Sequence, residues 1–250
     1  MIYAFAVSTE LGGKRIAKLE RIADSNAFEF EFDPSLLDRL AWMYDSVVAP
    51  KLDLQALRAN GALMLQGNDL LFQVVPYHSL AWVSAADLAT HREFQDVFDH
   101  LGLAEAVKPL VDWHERIVMY NGFFVVSNGV AEANWHVDYR DGAHAYTLLT
   151  PLYDLEPEHG QLLFLRDEQA IWRYCYRRGK GAVVGERFWH ATEPHPAGKP
   201  RVLLSMTFGT DRMKHWPVLE HSVGEQGPFV VMPCGHQRGT CTCAGAEAMS

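Results

Sequence analysis

The chain has 250 residues, 48% of them hydrophobic and 21% charged, with a formal net charge of −9. That fits one sizeable domain with its own packed core, and the acidic balance argues against a nucleic-acid partner, which requires a concentrated basic face. Four cysteines are not a disulfide framework. No stretch approaches a membrane span, and the opening MIYAFAVSTELGGKR lacks a secretory pattern, so the expected setting is the cytoplasm, with no membrane partner.

Taken in chain order, residues 1–8 are an apolar run of strand length, and 28–32 alternate aromatic and acidic side chains as a strand does. Asp33-Pro34-Ser35 then marks a helix start, with Leu36, Leu37, Leu40 and Met43 at helical spacing. A second helix is expected from Ser84, capped by that residue, with Asp87 in its first turn. Near Arg116 the pattern changes. Short apolar runs at 117–120, 123–126, 146–149, 161–165, 182–184 and 202–208 are separated by Gly, Pro and Asp clusters. Such spacing predicts an antiparallel sandwich or barrel. The fold class expected is mainly β with helical support (α+β). One catalytic domain would comprise a support region at 1–115, a barrel core at 116–211 and an irregular cysteine-containing tail at 212–250.

Two segments carry chemistry. In Asn134-Trp135-His136-Val137-Asp138-Tyr139, a strand would put His136 and Asp138 on one face, where an imidazole and a carboxylate can reach the same metal. His-x-Asp alone is weak, since about one such pair is expected by chance in a chain with 12 histidines. The second segment strengthens it. A short apolar strand at 182–184 leads to His190, a Pro/Gly-rich loop follows, and Arg201 opens another apolar strand. That loop is expected to return the chain antiparallel, with His190 and Arg201 on neighbouring strands. Two histidines and one carboxylate form the facial triad of O₂-activating iron(II). A nearby guanidinium is a planar fork suited to a carboxylate.

In this order, HVD, GQLLFL, GAVV with FWHATEP, and PRVLLSMTFG resemble the 2-oxoglutarate/iron(II) dioxygenase superfamily, in its prolyl-hydroxylase-like and phytanoyl-hydroxylase-like branches, over residues 116–211. The resemblance implies a double-stranded β-helix, a cupin-like jelly roll. It implies Fe(II) on His136, Asp138 and His190, and 2-oxoglutarate held through its distal carboxylate by Arg201. The implied reaction consumes O₂ and releases succinate and CO₂. Many members carry a hydroxyl residue two positions after the arginine. Leu203 stands there in this chain, while Ser205, four positions on, shares the Arg201 face of a strand. Tyr120 and Thr147 are further candidates for that second contact. Halogenases of the superfamily lack the carboxylate ligand, so Asp138 implies hydroxylation, desaturation or ring formation instead.

Arg140 lies two residues after Asp138 and just before a turn at Asp141-Gly142. On an extended strand it would reach the barrel rim and orient an anionic group of the substrate; the alternative is a solvated arginine. Trp135, Tyr139 and Trp189 flank the ligands and are expected to pack the barrel. Cys234, His236, Cys241 and Cys243 put four soft ligands within ten residues, a set suited to zinc. Their spacing matches no familiar finger, and a tail with free thiols is the alternative. Gly179, Gly181 and Gly185 do not open a helix after a strand, so no nucleotide loop is expected.

Two rival classes remain: a cupin-like metal enzyme that does not use 2-oxoglutarate, and a silent jelly-roll binding module. A carboxylate anchor at Arg201 separates the oxygenase from the first, and an intact triad separates both enzymes from the second. The expected substrate is a small molecule, an amino acid or natural-product intermediate. The sequence carries no sign of the oligomeric state.

Overall fold

A computed structural model describes residues 10–11, 14–166 and 170–243; the apolar run at 1–8 lies outside these. Along the chain, β1 (Glu10–Leu11), β2 (Lys14–Arg15), β3 (Glu20–Arg21) and β4 (Ala27–Glu31) lead to a 3-10 turn at Pro34–Leu37 and to α1 (Asp38–Met43). Next come α2 (Leu54–Asn60), β5 (Leu63–Gly67), β6 (Leu70–Tyr77), β7 (Leu80–Ala85), α3 (Leu88–Leu101) and α4 (Leu103–Val107). The second half holds β8 (Val118–Ser127), β9 (Ala145–Pro151), β10 (Leu162–Arg166), β11 (Ala170–Tyr174), β12 (Lys180–Val184), β13 (His190–Thr192) and β14 (Arg201–Gly209). A last helix, α5, spans Trp216–Val223.

Among the described residues, the larger sheet has nine strands in the order β3-β4-β12-β9-β14-β8-β7-β6-β5. Its pairings are antiparallel. The smaller sheet is β11-β10-β13, extended by a backbone bridge in which His136 and His190 exchange N–H to O bonds of 3.0 and 2.9 Å. From β9 onward the chain passes back and forth between the sheets, β9 in the larger, β10 and β11 in the smaller, β12 in the larger, β13 in the smaller and β14 in the larger, and the two layers form a double-stranded β-helix, or jelly roll.

Alternation along the central strands explains how the core divides. Phe124, Val126, Leu148, Leu204 and Met206 face the helical layer and pack with Leu37, Leu40, Phe94 and Phe98. Their neighbours Phe123, Val125, Leu149 and Leu203 face the smaller sheet and pack with Leu162, Phe164 and Tyr176. A strand buried on both faces carries apolar residues in succession, which is why β8 and β14 appear in the sequence as continuous runs. Helix α3 lies so close to β8 that a Cβ at Gly122 would sit 2.4 Å from the Phe94 ring. Truncating a core ring such as Phe124, fully buried, costs about 3–5 kcal/mol.

Several sequence expectations shift. Asp33 does cap the first helical turn, accepting from Ser35 N at 3.0 Å. Ser84 does not cap α3: it sits inside β7, and Asp87 accepts from Thr90 N at 2.8 Å. The change of pattern near residue 116 is not a boundary in the fold, because β7 pairs directly with β8 and β3 to β7 supply five of the nine strands. The tail contains α5 before it becomes irregular.

Candidate active site

His136 and His190 are brought together by the bridge that closes the smaller sheet, which sets their rings 4.4 Å apart. Beyond His136 the chain does not continue as a strand. Asp138 sits in a bend, and the loop is pinned from below by Glu186, which accepts from Gly142 N at 3.1 Å and His144 N at 2.5 Å. The Ser222 hydroxyl on α5 donates to the Asp138 carbonyl. Thus His136 and Asp138 converge through a braced loop rather than by strand alternation.

Both rings are held in one tautomer. Nδ1 of His136 donates to the Asn134 carbonyl at 2.9 Å, and Nδ1 of His190 donates to the Phe188 carbonyl at 2.9 Å. A carbonyl can only accept, so each neutral ring keeps its proton on Nδ1 and turns the Nε2 lone pair outward. Each Nε2 lies 3.6 Å from Oδ1 of Asp138, and all three ligand atoms fall within 4.8 Å of one another. One ion about 2.0–2.2 Å from each donor can span that set. Burial holds the His190 pKa below its ordinary value against the pull of Asp138, with His136 lowering it further. The imidazole is therefore in the neutral form that metal ligation needs.

The triad opens on a cavity of about 210 Å³. One wall is the inward face of β14: Arg201, Leu203 and Ser205 all line it. Arg201 is 1% exposed, and its Nε donates to the Gly160 carbonyl at 2.7 Å. Its Nη1 and the Ser205 hydroxyl are both buried without a hydrogen-bond partner. Unpaired buried polar groups in one cavity are costly on their own and mark where a ligand's oxygens fit. Tyr176 lies against the guanidinium, 5.5 Å from ring centroid to Cζ, and burial pushes its phenol up to about 12. Gln161 fixes Tyr176 by accepting from its backbone N at 2.7 Å.

Arg201 does not neighbour His190 in a sheet. His190 is on β13 of the smaller sheet and Arg201 on β14 of the larger. The Pro/Gly-rich loop crosses between layers, so the two side chains meet across the barrel interior. Thr147 lines the cavity, with its hydroxyl directed to the Tyr139 phenol at 3.2 Å. Tyr120 is not among the lining residues. A register shift at Thr207/Phe208 leaves Tyr120 bulged out of the ladder. Its hydroxyl donates to the Thr210 carbonyl at 2.7 Å in a separate cluster. Arg140 is exposed and also outside the lining, because the chain turns before it instead of staying extended. Tyr139 is buried packing, whereas Trp189 is 48% exposed.

The opposite wall was not anticipated. Tyr77 and Trp82, on the β6–β7 hairpin, stack with centroids 4.1 Å apart, and Tyr77 meets His136 edge-on at 6.4 Å. His221, Ser222, Glu225 and Gln226, on and after α5, complete the mouth. A local signal marked the start of β6: Asn68 and Asp69, both at positive φ (53° and 60°), form the two-residue turn that joins β5 to β6.

No family model and no curated sequence matches the chain. Solved structures do match in fold. EvdO2 from Micromonospora carbonacea var. aurantiaca aligns with a TM-score of 0.51 and 15% identity, over 77% of this chain and 93% of that one. EctD from S. alaskensis, in its apoform, aligns with a TM-score of 0.51 and 13% identity, over 78% and 85%. HygX from Streptomyces hygroscopicus, with iron bound, aligns with a TM-score of 0.51 and 12% identity, over 74% and 83%. The double-stranded β-helix of this chain is thus the fold these proteins share. Among the described residues, no helix is long and apolar enough to cross a membrane.

Proposed function

We propose that this protein is an Fe(II)- and 2-oxoglutarate-dependent oxygenase that hydroxylates a small molecule, an amino acid or natural-product intermediate. The observation that carries the reading is the meeting of two half-sites in one cavity. Three metal-type ligand atoms converge on one side, and two buried, unpartnered polar groups, Arg201 Nη1 and Ser205 Oγ, point in from the other. The iron-bound HygX structure, alike in fold, supports the choice of metal.

In this reading His136, Asp138 and His190 hold the iron, and Arg201 pairs with the distal carboxylate of 2-oxoglutarate while Ser205 donates to it. Thr147 lines the same cavity. Iron and 2-oxoglutarate, when bound, supply the chemistry that couples O₂ reduction and release of succinate and CO₂ to oxidation of a C–H bond. The chain's own groups do the rest. The Asn134 and Phe188 carbonyls keep both imidazoles aimed. The Gly160 carbonyl fixes one edge of the guanidinium and leaves the other for the ligand. Leu149, Leu162 and Leu203 make that end of the cavity apolar, which excludes water and strengthens the charge pairing. The Tyr77–Trp82 wall and the His221–Glu225 mouth remain for the substrate.

Anaerobic calorimetry tests the proposal. One Fe(II) per chain is expected to bind, and 2-oxoglutarate is expected to bind with micromolar affinity to the iron-loaded protein. Iron binding with no 2-oxoglutarate binding would turn the reading to a cupin-like metal enzyme. No iron binding would overturn it altogether.

A further inference from the structure

Three of the chain's four cysteines are gathered: Cys234, Cys241 and Cys243 fall within ten residues, together with His236. The fold gathers them further. Beyond α5, Val231 N donates to the Tyr120 carbonyl at 2.9 Å, anchoring the segment to β8. The chain then makes a tight turn: Gly235 N donates to Met232 O at 2.8 Å, Met232 N to His236 O at 2.8 Å, and Arg238 N to Val230 O at 2.8 Å. Gly235 has φ +84°, in the left-handed region, and this turn puts Cys234 and His236 on one side. A second, shorter turn brings Cys241 and Cys243 to meet them.

The resulting separations are those of a coordination shell. Sγ of Cys234 and Cys241 are 3.3 Å apart, and Nδ1 of His236 is 3.8 Å from Cys241 Sγ and 3.4 Å from Cys243 Sγ. All four ligand atoms lie within 4.8 Å of one another. A tetrahedral zinc with Zn–S about 2.3 Å and Zn–N about 2.0 Å has S–S edges of about 3.8 Å and S–N edges of about 3.5 Å. At 3.3 Å the sulfurs are well beyond a disulfide bond of about 2.05 Å. The backbone N of Cys243 donates to Cys241 Sγ at 3.2 Å, the kind of outer contact that orients a thiolate ligand.

We propose that Cys234, His236, Cys241 and Cys243 hold one structural zinc ion that locks the C-terminal segment onto the barrel. Four protein ligands leave no open position, so the site is closed and non-catalytic. Its purpose follows from what it touches. Cys234 and Cys241 rest on the cluster formed by Trp216, Leu219, Val223 and Tyr139. Arg238, between the two ligand pairs, donates to the Gly224 carbonyl at 2.8 Å. The zinc clip therefore braces α5 and the residues after it, which carry His221, Ser222, Glu225 and Gln226 to the cavity mouth.

The test must not confuse this ion with one bound at the triad, so it uses the full chain carrying His136→Ala and His190→Ala. Purified under reducing conditions and dialysed, this variant is expected to retain about one zinc per chain by elemental analysis. Adding Cys234→Ser and Cys243→Ser should remove it. Cobalt(II) offered to the metal-stripped His136→Ala/His190→Ala variant should give the intense visible absorption of a tetrahedral thiolate complex, displaced by zinc. That measurement stands on its own if the serine variants fail to fold. Zinc-free His136→Ala/His190→Ala protein whose cobalt spectrum lacks thiolate bands would overturn the proposal. So would a Cys234–Cys241 disulfide in the reduced preparation, found by mass after alkylation.

Discussion

Among the described residues are two clusters of the same composition, two histidines and one aspartate with ligand atoms within 4.8 Å: His136, Asp138 and His190, and Asp112, His144 and His215. They differ in where the polar atoms are committed. In the first, both Nδ1 protons go to backbone carbonyls, and the Nε2 atoms and the carboxylate are left facing a cavity. In the second, the Asp112 carboxylate is shared by Arg212 at 2.9 Å, Lys214 at 2.7 Å and His215 Nε2 at 3.0 Å. His215 Nδ1 is bound to the Gly142 carbonyl at 2.9 Å, and His144 Nδ1 accepts from Asp112 N at 3.2 Å. Two cations already neutralise that carboxylate and would repel an added metal ion. Proximity of ligand-type residues is thus a poor guide to a metal site; the state of their second atoms decides.

The largest expected contrast is between the clusters themselves. His136→Ala, His190→Ala or Asp138→Ala should abolish Fe(II)-dependent succinate release, whereas His144→Ala and His215→Ala should retain it. Retained turnover in any of the first three would remove that residue from the metal centre.

Next is Arg201. Removing one partner of a buried charge pair costs about 3–5 kcal/mol, so Arg201→Ala should raise the 2-oxoglutarate requirement roughly 10²–10⁴-fold. Iron affinity, measured separately by anaerobic titration, should change far less. Gly160 sharpens the same point. It has φ +68°, and a Cβ there would sit 2.4 Å from the His195 ring. Gly160→Ala should displace the carbonyl that holds Arg201 and weaken 2-oxoglutarate binding by roughly tenfold, the loss of about one hydrogen bond to a charged group. An unaltered 2-oxoglutarate titration would show that this carbonyl does not position the guanidinium.

The second cluster should instead reveal itself in stability. Hydrogen bonds from Lys214 and His215, with the charge of Arg212, hold the Asp112 carboxyl well below its ordinary value. A depressed carboxyl contributes stability that is fully present above the unfolded pKa of about 3.9 and is lost as pH falls toward the folded pKa. Lys214 is 60% exposed and Asp112 31%, so screening limits the contribution to about 1 kcal/mol or less. Asp112→Asn should lower Tm slightly at neutral pH, and the difference from wild type should shrink below about pH 4. A difference that grows on acidification would contradict the sign. The smallest effect is expected at Arg140: exposed and outside the cavity, Arg140→Ala should leave substrate-coupled succinate formation unchanged.

What could be read in the sequence follows the same division. Strands β8, β9, β12 and β14 stand out as apolar runs because both faces are buried, and the three metal-type ligands and Arg201 fall at strand ends or in the loops between, with Ser205 inside β14. The pairing of those strands is not local information. That Arg201 meets His190 across the barrel, rather than along a sheet, depends on the alternation of successive strands between layers. Tyr120 looks like a neighbour of the site in sequence, yet one bulged residue turns it elsewhere. The aromatic wall was missed because β6 and β7 belong to a region whose helices dominated the pattern, although the Asn68-Asp69 turn marked it.

If one cavity takes both iron and 2-oxoglutarate, a single spectrum reveals it. Fe(II) and 2-oxoglutarate added anaerobically to the wild-type protein should produce a weak visible metal-to-ligand charge-transfer band, since a keto acid chelated to iron(II) absorbs there and neither component does alone. The band should vanish in His190→Ala, require far more 2-oxoglutarate in Arg201→Ala, and persist in His215→Ala. A wild-type protein that binds iron yet shows no band at saturating 2-oxoglutarate would contradict the account, as would a band lost in His215→Ala and kept in His190→Ala.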